Sequence, residues 1–273
     1  MESVRDKEDI IGEDSLVLVY RDKRRRWLVR PRDTPKLHTH LGILDVSALV
    51  GREYGILVET TLGDQLTILR PTIEDLVMKV ARRTQVVYPK DLGLAMVKLG
   101  VRSGNRVIET GTGSGATTSL LAYLVQPGGM VYSYDINPEF QMTARKNVEK
   151  LGLGKWVTFR VGDSRLGFEE RGMDAGVLDV GDPWEVVHPM REALRPSASL
   201  VAVTPTTNQA EKLVARMKDE GFAFIETVEV LLRNIEARVG MTRPSTMMVG
   251  HTAYLTFGRT TSTRPSSSSE QEF

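Results

Sequence analysis

Residues 106–125 read RVIETGTGSGATTSLLAYLV. Apolar and β-branched residues lead into three alternating glycines, and an apolar, helix-like run follows. A strand, a tight glycine-rich turn and a helix N-terminus in that order make a cofactor cradle. Gly111, Gly113 and Gly115 let the backbone come close to a ligand and adopt positive φ. Gly111 to Ala116 also reads as G-x-G-x-x-A, which suits a nicotinamide-binding domain, so the loop alone does not choose the cofactor.

The pattern around the loop is α/β. From Tyr88 onward RVIET, GMVYSYD, WVTFRVGD, DAGVLDV and ASLVAVTP read as strands. Between them KDLGLAMVKLG, GATTSLLAYLV, PEFQMTARKNVEKLG, a segment around PWEVVHPMREAL, and NQAEKLVARMKDEG read as helices. Gly100 closes the first of these, and Pro138 and Gly152 bound the third. Alternation of this kind predicts a doubly wound sheet. The last two strands, FAFIETVEVLLR and HTAYLTFGRT, have no helical pattern between them. An antiparallel pair at the sheet edge is therefore expected, unlike a plain dinucleotide fold.

Residues 15–70 differ. SLVLVYRD, RRWLVRP, GILDVSALVG, YGILVET and QLTILRP are short β-rich runs, which predict a small barrel or sandwich. RPTIEDLVMKVARR then has helical spacing at Ile73, Leu76, Val77 and Val80, with Thr72 and Asp75 as a capping box. The expected division is a β-domain over 1–70, an α/β domain over 71–259 with a helical linker at its start, and a Ser-rich disordered tail over 260–273.

Composition limits the function. The chain has 273 residues, 41% of them hydrophobic, enough for two packed domains. No apolar run approaches the ~20 residues of a membrane span. The first fifteen residues hold six acids, two bases and no apolar core, so no signal peptide is expected. The absence of cysteine excludes disulfides, thiolate metal sites and Cys nucleophiles, and fits an intracellular, cytoplasmic protein. With four histidines and no cysteine, no metal site is expected. The net charge of +1 argues against a uniformly basic nucleic-acid binder but allows a local basic patch.

Acidic residues separate the cofactor choices. Asp135 ends the second α/β strand, where a carboxylate accepts both ribose hydroxyls. Glu109 precedes the loop, and Asp163 in VGDS is placed to meet an adenine amino group. Carboxylates repel a pyrophosphate but welcome the sulfonium and ammonium of S-adenosylmethionine. With no basic residue in the loop, the methyl donor is favoured over NAD. The fourth strand ends in LDVGDPW, which sets Asp179 at the carboxyl edge of the sheet, where doubly wound folds bind ligands.

TQVVYPKD (84–91), ETGTGSG (109–115), LDVGDPW (178–184) and RPSTMMVGHTAYLTFGR (243–259), with LVRPRDTPKLHTHLGILD near the N-terminus, resemble the tRNA adenine-N1 methyltransferases of the T-loop, in particular the archaeal branch. The resemblance runs from about residue 12 to 259. It implies a class I S-adenosylmethionine-dependent methyltransferase domain with a Rossmann-like sheet, a small N-terminal β-domain and a homotetramer. The implied target is adenine 58 of tRNA, with adenine 57 as a further target of archaeal members. By this resemblance Val87, the loop from Gly111 through Ser114 to Gly115, Asp135, Asp163 and Asp179 line the cofactor site, and Tyr88 stands at its entrance. Asp135 replaces a Glu common in the family, and Gly181 and Asp182 replace a commoner Pro and a small or polar residue.

Adenine N1 already has a free lone pair, so no base is needed; what needs stabilising is the charge that grows on the ring. Asp179, accepting from the exocyclic amino group, is the candidate, and holding the cofactor is its other reading. Tyr88 and Trp184 either pack against a flipped base or belong to the core. YRDKRRRWLVRPRDTPK (20–36) holds eight Lys/Arg and two Asp, a local net of +6. Arg24, Arg25, Arg26 and Arg30 in this strip are candidate phosphate contacts. His38, Thr39 and His40 follow as RNA-contact or packing residues. His251 and Thr252 match a family motif near the active site, and Arg243 either reaches RNA or pairs locally.

Three alternatives are weaker. A class I methyltransferase for isoaspartyl groups or a small molecule leaves the basic β-domain unexplained. An NAD-dependent reductase lacks a Tyr-x-x-x-Lys pair in the right place. A non-catalytic tRNA-binding subunit has no need of the intact loop and Asp179.

Overall fold

The computed structural model describes residues 9–79 and 87–263. The chain divides into two compact units, one ending at Lys79 and one beginning at Val80. Among the described residues no helix is long and apolar enough to cross a membrane.

The first unit is an open antiparallel sheet of β1 (Val17–Tyr20), β2 (Arg26–Val29), β5 (Leu57–Glu59) and β6 (Gln65–Leu69), in the order β2-β1-β6-β5. A hairpin of β3 (Lys36–Thr39) and β4 (Gly42–Asp45) accompanies it. Val17, Val19, Leu44, Leu66 and Ile68 form its core. The strand β3 was not expected, because KLHT has a single apolar residue to bury, Leu37. Helix α1 (Ile73–Lys79) belongs here and not to the second unit as its position after residue 70 suggested. The reason is Asp75. Its carboxylate accepts from Thr72 N at 3.0 Å, closing the capping box, and pairs with Arg26 of β2 at 3.2 Å. Residues 80–83 of the expected helix, and Thr84 to Val86 of the TQVVYPKD motif, lie outside the described residues.

The second unit carries a seven-stranded sheet in the order β12-β15-β11-β10-β7-β8-β9. Its strands are β7 (Arg106–Thr110), β8 (Met130–Asp135), β9 (Val157–Val161), β10 (Met173–Leu178), β11 (Leu194–Thr204), β12 (Ala223–Glu229) and β15 (Tyr254–Arg259). β7 to β11 pair in parallel, while β15 runs antiparallel to both β11 and β12. This is the expected antiparallel edge, with β15 inserted and β12 outermost. The helices are α2 (Pro89–Leu99), α3 (Ala116–Val125), α4 (Pro138–Lys150), α5 (Val187–Ala193) and α6 (Thr207–Asp219). Parallel strands buried on both faces explain the near-continuous apolar runs, and Ile108, Tyr134, Leu178, Met190, Leu200 and Met217 lie in one core. Between β12 and β15 the chain forms an arm with a two-strand hairpin, β13 (Ile235–Glu236) and β14 (Arg243–Pro244). Thr260 is not loose tail: its amide donates to Ala198 O at 3.0 Å and its side chain is buried. The tail beyond residue 263 lies outside the described residues.

Candidate active site

The strand order reverses between β7 and β10, so the two loops leaving their carboxyl ends part there and open a crevice. Glycine is required where they meet. Gly111 has φ +91°, and a Cβ on it would lie 1.9 Å from the Asp179 carbonyl oxygen. The loop is pinned by Gly111 N donating to Tyr134 O at 2.9 Å. Gly115, φ +81°, serves packing: a Cβ there would lie 3.0 Å from that of Ala144 on α4. Ser114 is buried, and its carbonyl accepts from Asn147 at 2.8 Å.

Beside the loop lies a cavity of about 500 Å³, lined by Gly111, Gly113, Asp135, Asp163 and Asp179 among others. That volume suits a nucleoside-sized ligand. Asp135 is already oriented. Gly113 N donates to Oδ2 at 3.0 Å and Asn137 N to Oδ1 at 2.8 Å, which leaves the outer lone pairs for ribose hydroxyls. The sequence reading missed Ile136 and Phe140, which also line the cavity. Their signal was an apolar residue directly after the ribose acid and a second one four positions on, flat apolar surface beside a polar anchor.

Glu109 needs correction. It is fully buried beneath the loop, its Oε2 accepting from Thr118 and Ser133 at 2.6 Å each while Oε1 has no partner. Burial pushes its pKa up to about 8, which favours the neutral acid, and its side chain lies beneath the loop and not on the cavity wall. The glycine loop itself holds no basic residue, but Arg165, two positions beyond Asp163, lines the cavity. The remaining balance, four aspartates against one arginine, still suits a cation better than a pyrophosphate.

Asp179 follows β10 directly. It shares with Val87 a second, mostly apolar crevice of about 10 Å³ that also touches Leu92, Thr117, Val203 and Leu255, room for one water at most. This surrounding explains why burial raises Asp179 to a pKa of about 6. Tyr88 caps α2 and is partly exposed. Trp184, in a 3-10 turn over Pro183–Glu185, is half-buried with Lys212 Nζ 4.9 Å from its ring centre.

Other candidates have local duties. Thr252 donates to Asp91 at 2.8 Å and accepts from Lys90 at 2.6 Å; Lys90 also donates to Val230 O, clasping both ends of the arm. His251 bridges Glu229 at 2.5 Å and Pro205 O at 2.8 Å, and the Glu229 carboxylate raises its pKa. Arg243 pairs with Glu236 across the hairpin at 3.1 Å. In the first unit Thr39 closes the turn to Gly42, while His38 and His40 are exposed. About half of the strip's +6 is offset by acids outside it, Asp64, Asp75 and Asp14. Arg21, Arg25, Arg26, Arg30 and Arg32 pair with Asp64, Asp22, Asp75, Asp33 and Asp14. Lys23, Arg24 and Lys36 are exposed, without an ion pair among the described residues.

A family profile described as "tRNA methyltransferase complex GCD14 subunit" matches residues 65–242. The chain is 34% identical to a tRNA (adenine(57)-N(1)/adenine(58)-N(1))-methyltransferase of Methanocaldococcus jannaschii, over 89% of this chain and 94% of that protein. It is 34% identical to the tRNA (adenine(58)-N(1))-methyltransferase of Thermus thermophilus, over 87% and 94%. Among solved structures, a SAM-dependent O-methyltransferase of Thermotoga maritima superposes with TM-score 0.88 at 36% identity, covering 97% of this chain and all of that one. The tRNA (m1A58) methyltransferase of Aquifex aeolicus gives 0.78 at 31%, covering 92% and 99%.

Proposed function

The chain belongs to the tRNA methyltransferase family described by the GCD14 subunit, and on that premise we propose that it moves a methyl group from S-adenosylmethionine to N1 of adenine 58 in the tRNA T-loop. Adenine 57 is a further target of the same site, as the name of the Methanocaldococcus relative suggests. The observation that carries the reading is Asp179: a desolvated carboxyl at the switch point, adjoining the crevice shared with Val87.

Bound S-adenosylmethionine supplies an electrophilic methyl on a sulfonium. Asp135 holds the ribose hydroxyls, and the Asp163 carboxylate meets the adenine amino group. Asp179 accepts a hydrogen bond from the amino group of the target adenine, which becomes more acidic as N1 gains its bond. That contact strengthens toward the transition state, so it lowers the barrier and not merely the ground state. Tyr88 and Trp184 pack against the base, whose extraction from the folded tRNA costs a few kcal/mol. The O-methyltransferase name of the Thermotoga protein invites a hydroxyl acceptor. A hydroxyl must lose a proton as it is methylated, whereas adenine N1 attacks with a free lone pair, and the methylated product separates the two. Nucleoside mass spectrometry of unmodified tRNA after reaction should show 1-methyladenosine. A 2′-O-methylated nucleoside in its place would contradict the proposal.

The first unit grips tRNA through its exposed cations Lys23, Arg24 and Lys36. Replacing Lys23, Arg24 and Lys36 together by Ala should weaken tRNA binding and lower the slope of log K against log salt by about two to three, near 0.9 for each phosphate no longer neutralised. Calorimetry should find cofactor affinity unchanged. An unaltered slope would remove these residues from the interface. The working enzyme is a homotetramer. Its support is the arm between β12 and β15, which exposes Leu231, Leu232, Ile235, Met241 and Met247, an apolar surface that suits burial against another copy.

A further inference from the structure

Asp135, Asp163, Asp179 and Asp182 line the cavity with, among the described residues, one cation, Arg165. Those carboxylates attract a sulfonium donor but repel the phosphates of the tRNA that must enter beside it. Resting on the function proposed above, we propose that Arg165 is an exchangeable phosphate contact: cofactor binding releases it from Asp163, and it then holds the phosphate beside the target adenine.

The geometry of Asp163 leads to this. Its Oδ1 accepts from Arg165 N at 3.0 Å and Nε at 2.9 Å, and its Oδ2 from Nε at 3.0 Å and Nη2 at 2.7 Å. Three N–H donors, the amide N, Nε and Nη2 of Arg165, thus already engage both oxygens, the Nε–H being shared between them. An adenine amino group that approaches Asp163 competes with the guanidinium for these oxygens. Solvent can take over the guanidinium's contacts on release, since the Arg165 side chain is 56% exposed, against 24% for Asp163. The backbone amide of Arg165 stays on Oδ1, so the turn over Ser164–Leu166 survives the exchange.

The released guanidinium has a defined neighbourhood. Asp182 and Glu185 are near enough to favour its charge, after the Asp163 contact itself. Both belong to the segment that carries Trp184, on the side assigned to the target base. A phosphate arriving there meets one freed cation among carboxylates. In the absence of cofactor that cation is held by Asp163. Cofactor and tRNA should thus bind cooperatively, and by linkage each should tighten the other equally.

The test measures tRNA affinity by fluorescence anisotropy at several salt concentrations, with and without S-adenosylhomocysteine, for the wild type and Arg165→Gln. Wild-type protein should bind tRNA about five-fold tighter with S-adenosylhomocysteine, and its salt slope should steepen by about one. Arg165→Gln should lose both changes while binding S-adenosylhomocysteine as well as the wild type or better, because Asp163 is relieved of its partner. A variant that keeps the full coupling would overturn the proposal. So would a ten-fold loss of S-adenosylhomocysteine affinity, which would make Arg165 a brace for Asp163. Methylation of tRNA by the wild type is scored in the same preparation. Its absence would sink the function itself, whereas methylation with unchanged coupling in the variant would sink only the role of Arg165.

Discussion

Asp179→Asn should lower the single-turnover rate of methyl transfer roughly 100-fold, about 2.7 kcal/mol of transition-state stabilisation. The amide keeps the size of the side chain and one acceptor oxygen but loses the charge that opposes the cation growing on adenine. Affinities for donor and tRNA should change much less. The pH profile gives an independent check. Burial raises Asp179 to a pKa of about 6, and the proposed role requires its carboxylate form. Wild-type kcat/KM, which reports free-enzyme groups, should therefore rise with pH through about 6 and level off above it. Asp179→Asn should show no such rise. If Asp179 only anchors the donor, affinity should fall instead and saturating donor should restore the rate.

Gly111→Ala should remove cofactor binding altogether. The new Cβ would lie 1.9 Å from the Asp179 carbonyl oxygen and 2.7 Å from its carbonyl carbon, both backbone atoms that no rotamer change can move. The φ of +91° adds conformational strain. Together these should cost about 2–5 kcal/mol of stability and displace the loop from the site. Calorimetry with S-adenosylhomocysteine should detect a loss beyond 100-fold, and thermal melting a clear fall in Tm. Gly93→Ala is the counterpart. Gly93 sits in α2 with open space at the Cβ position, so that change should stabilise by about 0.5–1 kcal/mol. Normal cofactor affinity in Gly111→Ala would mean that the ligand does not use this loop.

Local features of the chain were enough to read the frame. β-branched runs ending at Thr110, Asp135 and Leu178 announce parallel strands, and the missing helix between the last two strands announced the antiparallel edge. Gly111 and Asp135 were visible because their chemistry is tied to adjacent residues. What escaped depends on partners distant in sequence. The charge of the 20–36 strip looked free because Asp64, Asp75 and Asp14 lie outside it. Glu109 looked ionised because desolvation is a property of the packed sheet and not of ETGTG. Helix α1 looked like the start of the second unit because the Arg26–Asp75 pair spans 49 positions. Arg165 sits two residues beyond a residue already chosen, yet its place on the cavity wall becomes visible only in three dimensions.

Methyl transfer to N1 of adenine 58 turns on one atom. A tRNA carrying 1-deazaadenosine at position 58 keeps the amino group, the stacking surface and the sugar but has C–H in place of the attacking nitrogen. With isotopically labelled S-adenosylmethionine, the unmodified tRNA should take up label at position 58, and the 1-deaza tRNA should take up none there while still competing for binding. Undiminished labelling at position 58 of the 1-deaza tRNA would rule out N1 as the acceptor, since the methyl group would then be going to another atom.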